Sequence, residues 1–412
     1  MSRQRDLRPA LLLVAGLVYL GGWEALHHGF YAHLDITDAP VYQTYGDAIR
    51  NGQLPYRDFA VEYPPGALLA FVAPTFFGFP YDATFAWLMA GVGLCLLVLV
   101  ALCRPSLPAL AFVALSPLLI GAHVSSRFDL WPTALMMAGV AALLRDRHTL
   151  GWVGLAAGFA AKLFPVVLMP LAAVWTVRRA GWAALARSLA GALLVIAAAF
   201  GPFLVLAPGG LWASLWGQAT RPLQIESIGG AFLMTFAHPD VIHSHGSFNL
   251  GGEGALGAVQ AFAQASALVA VWVGFARGPA EPARLIRFAA AALCAFIIFG
   301  KVLSPQYLIW LVPIVPLLRG RRGLGASLLL LAALLDTQIW FPAKYFEYVY
   351  QAHLAWLVLL RDVFLLALFL VLSLPARGWL GSSAPARPGR IRRGHPRSAR
   401  LPLPPRAGPE TP

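Results

Sequence analysis

Residues 84–103 read TFAWLMAGVGLCLLVLVALC, an apolar run without a single charged side chain. A helix of about 20 such residues is long enough to cross the hydrocarbon core of a bilayer. Comparable segments recur along the chain, at about 10–28, 84–103, 107–122, 131–144, 149–161, 163–176, 183–206, 257–276, 285–300, 305–318, 324–340 and 354–374. The sequence therefore predicts an all-α polytopic membrane protein with about 12 transmembrane helices.

The composition agrees with this class. Hydrophobic residues make up 59% of the chain and charged residues only 12%, against roughly 25% charged residues in a soluble domain. The net charge is +13, but the basic residues cluster in short loops between apolar segments, as in the cytoplasmic loops of membrane proteins. This placement argues against a nucleic-acid partner. The cysteines Cys95, Cys103 and Cys294 lie within apolar runs and predict neither disulfides nor a zinc site.

The arginines also predict the orientation. Arg3, Arg5 and Arg8 precede the first span, and twelve spans with both termini in the cytoplasm place basic clusters in every inner loop of a plasma-membrane protein. This topology requires that residues 66–79 do not cross, and we expect a half-helix dipping from the outer side. We expect outer loops at about 29–83 and 207–256.

We predict one transmembrane domain over residues 1–374 and a disordered, basic, Pro- and Arg-rich cytoplasmic tail over 375–412. No repeat relates the two halves of the sequence, which argues modestly against a secondary transporter.

The first outer loop is rich in carboxylates. Asp35, Asp38, Asp47, Asp58 and Glu62 lie close together, interleaved with tyrosine and proline, in a chain with only 18 acidic residues. A carboxylate near the membrane surface can act as a general base towards an acceptor hydroxyl, and partial burial raises its pKa into a useful range. The alternative is an ordinary polar outer loop.

Only three of the 31 basic residues are lysines, and Lys162, Lys301 and Lys344 all map to the outer side or to outer helix ends. Lys162 and Lys301 each join two short apolar segments. Charges at membrane depth are costly and tend to line cavities or to form pairs, and an ammonium group suits a phosphate oxygen. Alternatively, each lysine extends to the interface.

Other chemical motifs are weak. His243 and His245, with His238 nearby, lack a third metal ligand at a persuasive spacing, so we predict no metal and no cofactor. No phosphate-binding glycine loop and no nucleophile elbow stands in a supporting context. Asp146 and Asp362 lie beside arginines and are expected to be structural.

Several motifs together resemble the polyprenol-phosphate-mannose-dependent alpha-mannosyltransferase family, which are GT-C membrane glycosyltransferases of bacteria. In the first loop they are DAPVY (38–42), GQLPYRDF (52–59) and EYPP (62–65). Further along the chain they are RFDLWP (127–132), GFAAKLFP (158–165), RPLQIES (221–227) and KVLSPQY (301–307). The similarity runs from about residue 10 to 374.

The resemblance implies a GT-C-like helical bundle with a long first outer loop, and an inverting transfer of a hexose, preferentially mannose. The donor would be a polyprenyl-phosphate sugar, and the acceptor an envelope glycolipid or glycan at the outer membrane face. Asp38 would be the catalytic base, with Asp35 as the alternative, and Arg127, Lys162, Arg221 and Lys301 would hold the donor phosphate. The implied substrate-binding residues are Tyr42, Arg57, Asp58, Glu62, Tyr63, Arg127, Asp129, Lys162, Arg221, Glu226, Lys301, Gln306 and Tyr307.

Two other functions remain open at this point. A multi-pass transporter or flippase of lipid-linked sugars would need charges at mid-depth in several spans, whereas the carboxylates here cluster in one loop. A non-catalytic scaffold of envelope assembly would not need Asp38 or the lysines.

Overall fold

The computed structural model describes residues 3–32, 36–103, 105–252, 254–351 and 353–374, without the side chains of residues 3–8 and 30. Asp35, the alternative base, and the predicted tail at 375–412 lie outside the described residues.

Within these ranges the chain forms seventeen α-helices and one two-stranded sheet. The helices are α1 Arg3–Ala25, α2 Ala39–Arg50, α3 Leu68–Val72, α4 Tyr81–Leu102, α5 Leu107–Ala114, α6 Ser116–Ile120, α7 His123–Ser126, α8 Leu130–Leu143, α9 His148–Ala161, α10 Met169–Leu206, α11 Pro208–Ala219, α12 Ile228–Phe236, α13 Leu256–Ala276, α14 Pro282–Ile298, α15 Gly320–Trp340, α16 Tyr345–Gln351 and α17 Ala355–Ser373. The strands are β1 Val241–Ser244 and β2 Ser247–Leu250. Short 3₁₀ helices occur at Gly29–Ala32, Pro65–Ala67, Ala73–Phe76, Phe164–Leu168, Pro305–Trp310 and Val315–Leu317.

The predicted all-α, multi-pass membrane class is confirmed. Among the described residues, five helical segments are long and apolar enough to cross a membrane: Tyr81–Leu102, Phe164–Leu206, Leu256–Ala276, Gly320–Trp340 and Ala355–Ser373. Four shorter apolar segments accompany them: Pro9–Ala25, Pro65–Phe76, Leu130–Leu143 and Pro305–Leu317. The figure of about 12 crossings therefore stays a prediction.

Two predicted spans are not continuous α-helices. The segment 107–122 is divided into α5 and α6, and Pro117 follows directly on the break. The segment 305–318 forms two 3₁₀ helices separated by turns, with Pro305, Pro313 and Pro316 within it. Proline removes a backbone donor and clashes with the preceding turn, so a regular helix cannot run through these positions.

The predicted boundary between 163–176 and 183–206 is a kink rather than a loop. Gly181 has a φ of 80° within α10, the left-handed region that glycine adopts without strain.

Close packing of α8 on α9 positions one end of both helices. A Cβ atom at Gly154 would lie 2.6 Å from the backbone N of Gly139, so the two helices approach more closely than larger residues would permit. Asp129 precedes α8 and Lys162 follows α9. Because the helices are antiparallel neighbours, these two charged residues come to lie together.

The first predicted outer loop is brought to the same place. The helical turns at Pro65–Phe76 rise about 18 Å at 1.5 Å per residue, which is too short to cross a core of about 30 Å. They pack on α9, where a Cβ at Gly66 would lie 2.7 Å from the backbone of Ala160, and Trp131 Nε1 donates to the Gly66 carbonyl at 3.2 Å. The loop therefore lies over the junction that carries Lys162.

The β-hairpin lies in the second predicted outer loop. Ser244 pairs with Ser247, and the two turn residues, His245 and Gly246, both have positive φ, at 53° and 65°. Such a turn matches the twist of the paired strands and gives a compact two-residue hairpin.

Candidate active site

A cavity of about 670 Å³ lies where the segments assigned to the outer side meet. Its walls come from the first loop, the residues that precede α8 and follow α9, the end of α11 and the segment after it, the β-hairpin, the irregular segment after α14, and the start of α16. Its charged lining residues are Asp38, Glu62, Arg127, Lys162, Arg221, Glu226 and Lys301. Four basic and three acidic side chains thus share one space.

Asp38 and Arg127 form an ion pair at the cavity wall. Asp38 is the N-cap residue of α2, but its carboxylate makes no capping hydrogen bond. Instead, Oδ2 contacts Arg127 Nη1 and accepts a hydrogen bond from the Tyr42 hydroxyl at 3.2 Å. The Asp38 side chain is 27% exposed, whereas that of Arg127 is 8% exposed. The carboxylate is therefore held in place and still open to the cavity.

Burial lowers the pKa of Arg127 to about 10, and the negative charge of Asp129 opposes this shift. The guanidinium group stays charged at neutral pH. Among the described residues, its Nε has no hydrogen-bond partner, so Arg127 holds Asp38 with one donor and keeps another unused.

Lys162 and Asp129 form a second, deeper pair. Lys162 Nζ donates to Asp129 Oδ1 at 2.7 Å, and Trp310 Nε1 donates to the same oxygen at 2.7 Å. Asp129 is 1% exposed. The ammonium group lies 4.9 Å from the ring centre of Phe128 and 5.1 Å from that of Tyr307, within the range of cation–π attraction. The pair ties the end of α9 to the start of α8 and to the 3₁₀ segment.

The segment 221–227 carries two further charged residues. Arg221 Nη2 donates to the His245 carbonyl at 3.2 Å and to Ser247 Oγ at 2.7 Å, which fixes the hairpin turn beside the cavity. The backbone N of Gln224 donates to the Lys301 carbonyl at 2.9 Å. These bonds bring Arg221 and Lys301 to one wall.

Glu226 is a buried acid at the cavity. Its Oε1 accepts a hydrogen bond from the Tyr345 hydroxyl at 2.5 Å. Burial raises the pKa of its carboxyl from 4.5 to about 7; the Tyr345 hydrogen bond and the charges of Arg361 and Arg221 act in the opposite direction. The group therefore changes charge near neutral pH.

The other walls are aromatic and apolar. Trp310 stacks on Phe164 with ring centres 3.9 Å apart and on Tyr307 at 4.2 Å. Ala261 from α13 and Phe296 from α14 reach the same cavity. The cavity thus combines a charged wall with an apolar surface that continues along α13 and α14.

The structure brings most of the predicted residues together. Those that line the cavity are Asp38, Tyr42, Glu62, Tyr63, Arg127, Lys162, Arg221, Glu226, Lys301, Gln306 and Tyr307. Asp129 lies directly behind Lys162.

Arg57 and Asp58 do not line the cavity. They pair with each other, with Arg57 Nε 2.8 Å from Asp58 Oδ1, and the Arg57 side chain is 57% exposed. Asp58 Oδ2 also accepts the backbone N–H of Leu54 at 2.7 Å. Their charges therefore stabilise a local turn.

Sequence reasoning missed Tyr345, Ser304 and Gln264, which also line the cavity. Ser304 lies within the KVLSPQY motif (301–307). Tyr345 follows Lys344 in an aromatic-rich segment, but nothing local to it points to Glu226, which is 119 residues away.

The histidines form no metal centre in the part of the chain that the structure describes. His243 and His245 both line the cavity, but no group of three or more His, Cys, Asp or Glu side chains is arranged to hold a metal ion among those residues.

The Lys162–Asp129 pair predicts a clear effect on stability. Lys162→Met leaves a buried carboxylate without its cation, so we expect the free energy of unfolding to fall by about 3 kcal/mol. The double variant Lys162→Met/Asp129→Asn should recover much of this loss. Denaturant unfolding in detergent micelles measures both effects, with the exposed Lys344→Met as the control, which should change stability by less than about 0.5 kcal/mol. Equal losses in the single and double variants would contradict the pairing.

Glu226 predicts a pH-dependent contribution to stability. Between about pH 4.5 and 7 the folded protein keeps a proton on this carboxyl that the unfolded chain releases. This contribution is complete below pH 4.5 and is lost as the pH rises to about 7. We expect the melting temperature of the wild type, relative to Glu226→Gln, to fall by several degrees between pH 5 and pH 8. A difference that does not change with pH would refute the raised pKa.

Comparison with known proteins identifies the family. No curated protein matches the chain significantly. The crystal structure of ArnT from Cupriavidus metallidurans bound to undecaprenyl phosphate is similar over 90% of this chain and 77% of that one, with 15% identity and a TM-score of 0.47. The model of glycosyltransferase family 87 matches residues 61–305, which is more than half of the sequence and includes most of the cavity's charged residues. The chain therefore belongs to glycosyltransferase family 87.

Proposed function

We propose that this glycosyltransferase moves a hexose, preferentially mannose, from polyprenyl phosphate to an envelope glycolipid or glycan acceptor at the outer membrane face, with inversion at the anomeric carbon. The observation that carries the proposal is the cavity itself. It holds a partly exposed carboxylate, Asp38, together with four basic side chains, beside walls formed by membrane helices.

The basic residues suit the donor phosphate. A sugar on polyprenyl phosphate carries one negative charge, and a second develops on the phosphate as the bond from the anomeric carbon to oxygen breaks. Arg127, Lys162, Arg221 and Lys301 line the space in which this charge would form. Within the described chain, Arg127 Nε and Arg221 Nε have no partner and can donate to phosphate oxygens. Fixed donors at a site of developing charge lower the barrier to reaction.

The apolar walls suit a lipid-linked donor better than a soluble one. Ala261 and Phe296 belong to α13 and α14, and α13 is apolar and long enough to cross the membrane. A polyprenyl chain in the bilayer can lie along such helices while its phosphate enters the charged cavity. A nucleotide sugar gains nothing from these walls.

Asp38 is placed to act as the base. It accepts the proton of an acceptor hydroxyl, the hydroxyl oxygen forms a bond to the anomeric carbon, and polyprenyl phosphate leaves with the electron pair of the broken bond. Arg127 and Tyr42 hold only Oδ2 by the contacts above, so the carboxylate keeps capacity to accept a proton. Proton transfer to a positioned base contributes about 10²–10⁴-fold to rate.

The cavity volume is that of a small-molecule binding site. Ligand sites span about 300–1,000 Å³, and 670 Å³ lies in the middle of that range. The preference for mannose rests on the motif resemblance alone, and glucose, galactose or arabinose on the same lipid are the competing donors.

Family membership favours transfer over transport. A transporter or flippase of lipid-linked sugars would release its substrate unchanged, whereas a base opposite a set of phosphate-binding cations serves bond formation. If both termini are cytoplasmic, as the arginine distribution predicts, Asp38 and the four basic residues lie on the outer side.

Substitution of Asp38 tests the proposal. We expect Asp38→Asn to lower kcat at least 100-fold, because the amide cannot take the proton, with little change in the donor KM. The measurement is transfer of radiolabelled mannose from polyprenyl phosphomannose to envelope lipids, in membranes with matched expression. Asp47→Asn is the control, since Asp47 lies on α2 but outside the cavity. Asp35→Asn tests the alternative base.

Full activity of Asp38→Asn would contradict the assignment of the base. An inactive wild type with mannosyl, glucosyl, galactosyl and arabinosyl donors in native membranes would contradict the proposed function and would favour transport.

A further inference from the structure

Glu226 has a hydrogen-bonding group that the proposed transfer does not use. The residue is 1% exposed. Oε1 accepts the Tyr345 hydroxyl at 2.5 Å, but Oε2 has no hydrogen-bond partner among the residues that the structure describes. A buried acceptor without a partner costs about 1–3 kcal/mol. An unpartnered buried acceptor is most readily tolerated where a bound ligand donates a hydrogen bond to it.

The backbone around Glu226 is held tightly from behind. Arg361, fully buried on α17, donates from Nη2 to the Glu226 carbonyl at 2.5 Å and from Nε to Asp362 Oδ1 at 2.9 Å. The Tyr348 hydroxyl donates to the Ile225 carbonyl at 2.6 Å. A buried arginine on an apolar helix is expensive, so its use to fix one loop indicates that the position of this loop matters.

The other buried acid at the site is already neutralised. Asp129 accepts from Lys162 and Trp310, and the partly exposed Asp38 is paired with Arg127. In contrast, the described contacts of the Glu226 carboxylate include no cation; its bonded partner is the neutral Tyr345 hydroxyl. Above about pH 7, where this carboxyl is ionised, a hydroxyl group offers the donor that Oε2 lacks.

We propose that Oε2 of Glu226 binds a ring hydroxyl of a sugar in the cavity, and that Tyr345 and Arg361 are positioning residues for this contact. The inference rests on the proposed function, because it takes the ligand to be one of the two sugars of the transfer. Glu226 lines the cavity, and its shielding from bulk water strengthens a hydrogen bond made there.

The hydroxyl could belong to the donor hexose or to the acceptor sugar. Two series of deoxy analogues distinguish them, one in which single hydroxyls are removed from the hexose of the polyprenyl-phosphate donor and one in which they are removed from the acceptor. In the wild type, loss of the contacted hydroxyl should lower kcat/KM about 10- to 100-fold, the range for a hydrogen bond to a charged group.

Glu226→Gln is the informative variant because it preserves shape and can still accept from Tyr345, but it replaces the free acceptor with an amide donor. We expect kcat/KM for the complete substrate to be about 10- to 100-fold lower in this variant than in the wild type. For the deoxy analogue that lacks the contacted hydroxyl, kcat/KM should be nearly the same in the variant and in the wild type. Asp47→Asn is the control, since it alters a carboxylate outside the cavity and should keep the wild-type discrimination at that ring position.

Tyr345→Phe tests the positioning role. It removes the bond to Oε1 but keeps the aromatic packing, so discrimination at the same ring position should weaken with a smaller loss of kcat. Arg361→Lys should act in the same direction, and Tyr345→Phe keeps the test valid if the arginine variant does not fold. Unchanged discrimination in Tyr345→Phe would overturn the positioning role.

Equal penalties for every deoxy analogue in the wild type and in Glu226→Gln would overturn the proposed hydroxyl contact and leave the transfer reaction standing. A wild type that transfers no sugar from any lipid-linked donor would overturn both.

Discussion

The site depends on the pairing of charges that are buried among apolar helices. The Lys162 ammonium and the Asp129 carboxylate would each be costly alone in such surroundings, so the start of α8 and the end of α9 are bound to stay together. Trp310 joins the same carboxylate and brings in the 3₁₀ segment that follows Lys301. Irregular backbone between apolar helices is tolerated where it is enclosed by protein or lines a cavity. The Lys162–Asp129 pair and the 3₁₀ segment therefore hold each other in place through Trp310, and together they form one wall of the cavity.

Around the Lys162–Asp129 pair, the cavity offers both unused hydrogen-bond donors and an unused hydrogen-bond acceptor. Arg127 and Arg221 keep donors unused after they have fixed Asp38 and the hairpin, and Glu226 keeps an acceptor unused after it has bonded to Tyr345. Free donors suit a phosphate, and a free acceptor suits a hydroxyl. In the proposed reaction the substrate has both groups, and the base Asp38 shares the cavity with them.

The sequence predicted site residues where charged side chains stand between apolar segments or are concentrated in one loop. Lysines between apolar runs and a carboxylate-rich loop predicted the cavity residues, because charges in such places must pair or line a cavity. It did not predict the role of residues whose ion-pair or hydrogen-bond partner is either a chain neighbour or more than a hundred residues away in the sequence. Arg57 and Asp58 looked like site residues but neutralise each other as chain neighbours. Tyr345 and Arg361 were missed because their contacts with Glu226 cross more than a hundred residues. The breaks within 107–122 and 305–318 could have been predicted from Pro117, Pro313 and Pro316; the continuous spans predicted there followed hydropathy instead.

The proposed reaction is a single displacement in which Asp38 activates the acceptor while the basic residues receive the departing phosphate. The most direct test is the anomeric configuration of the product, measured by NMR after transfer from a polyprenyl phosphate donor of defined β configuration. Inversion at the anomeric carbon gives an α-linked product alone. A β-linked product would require a covalent sugar intermediate or another mechanism, and would contradict the role assigned to Asp38.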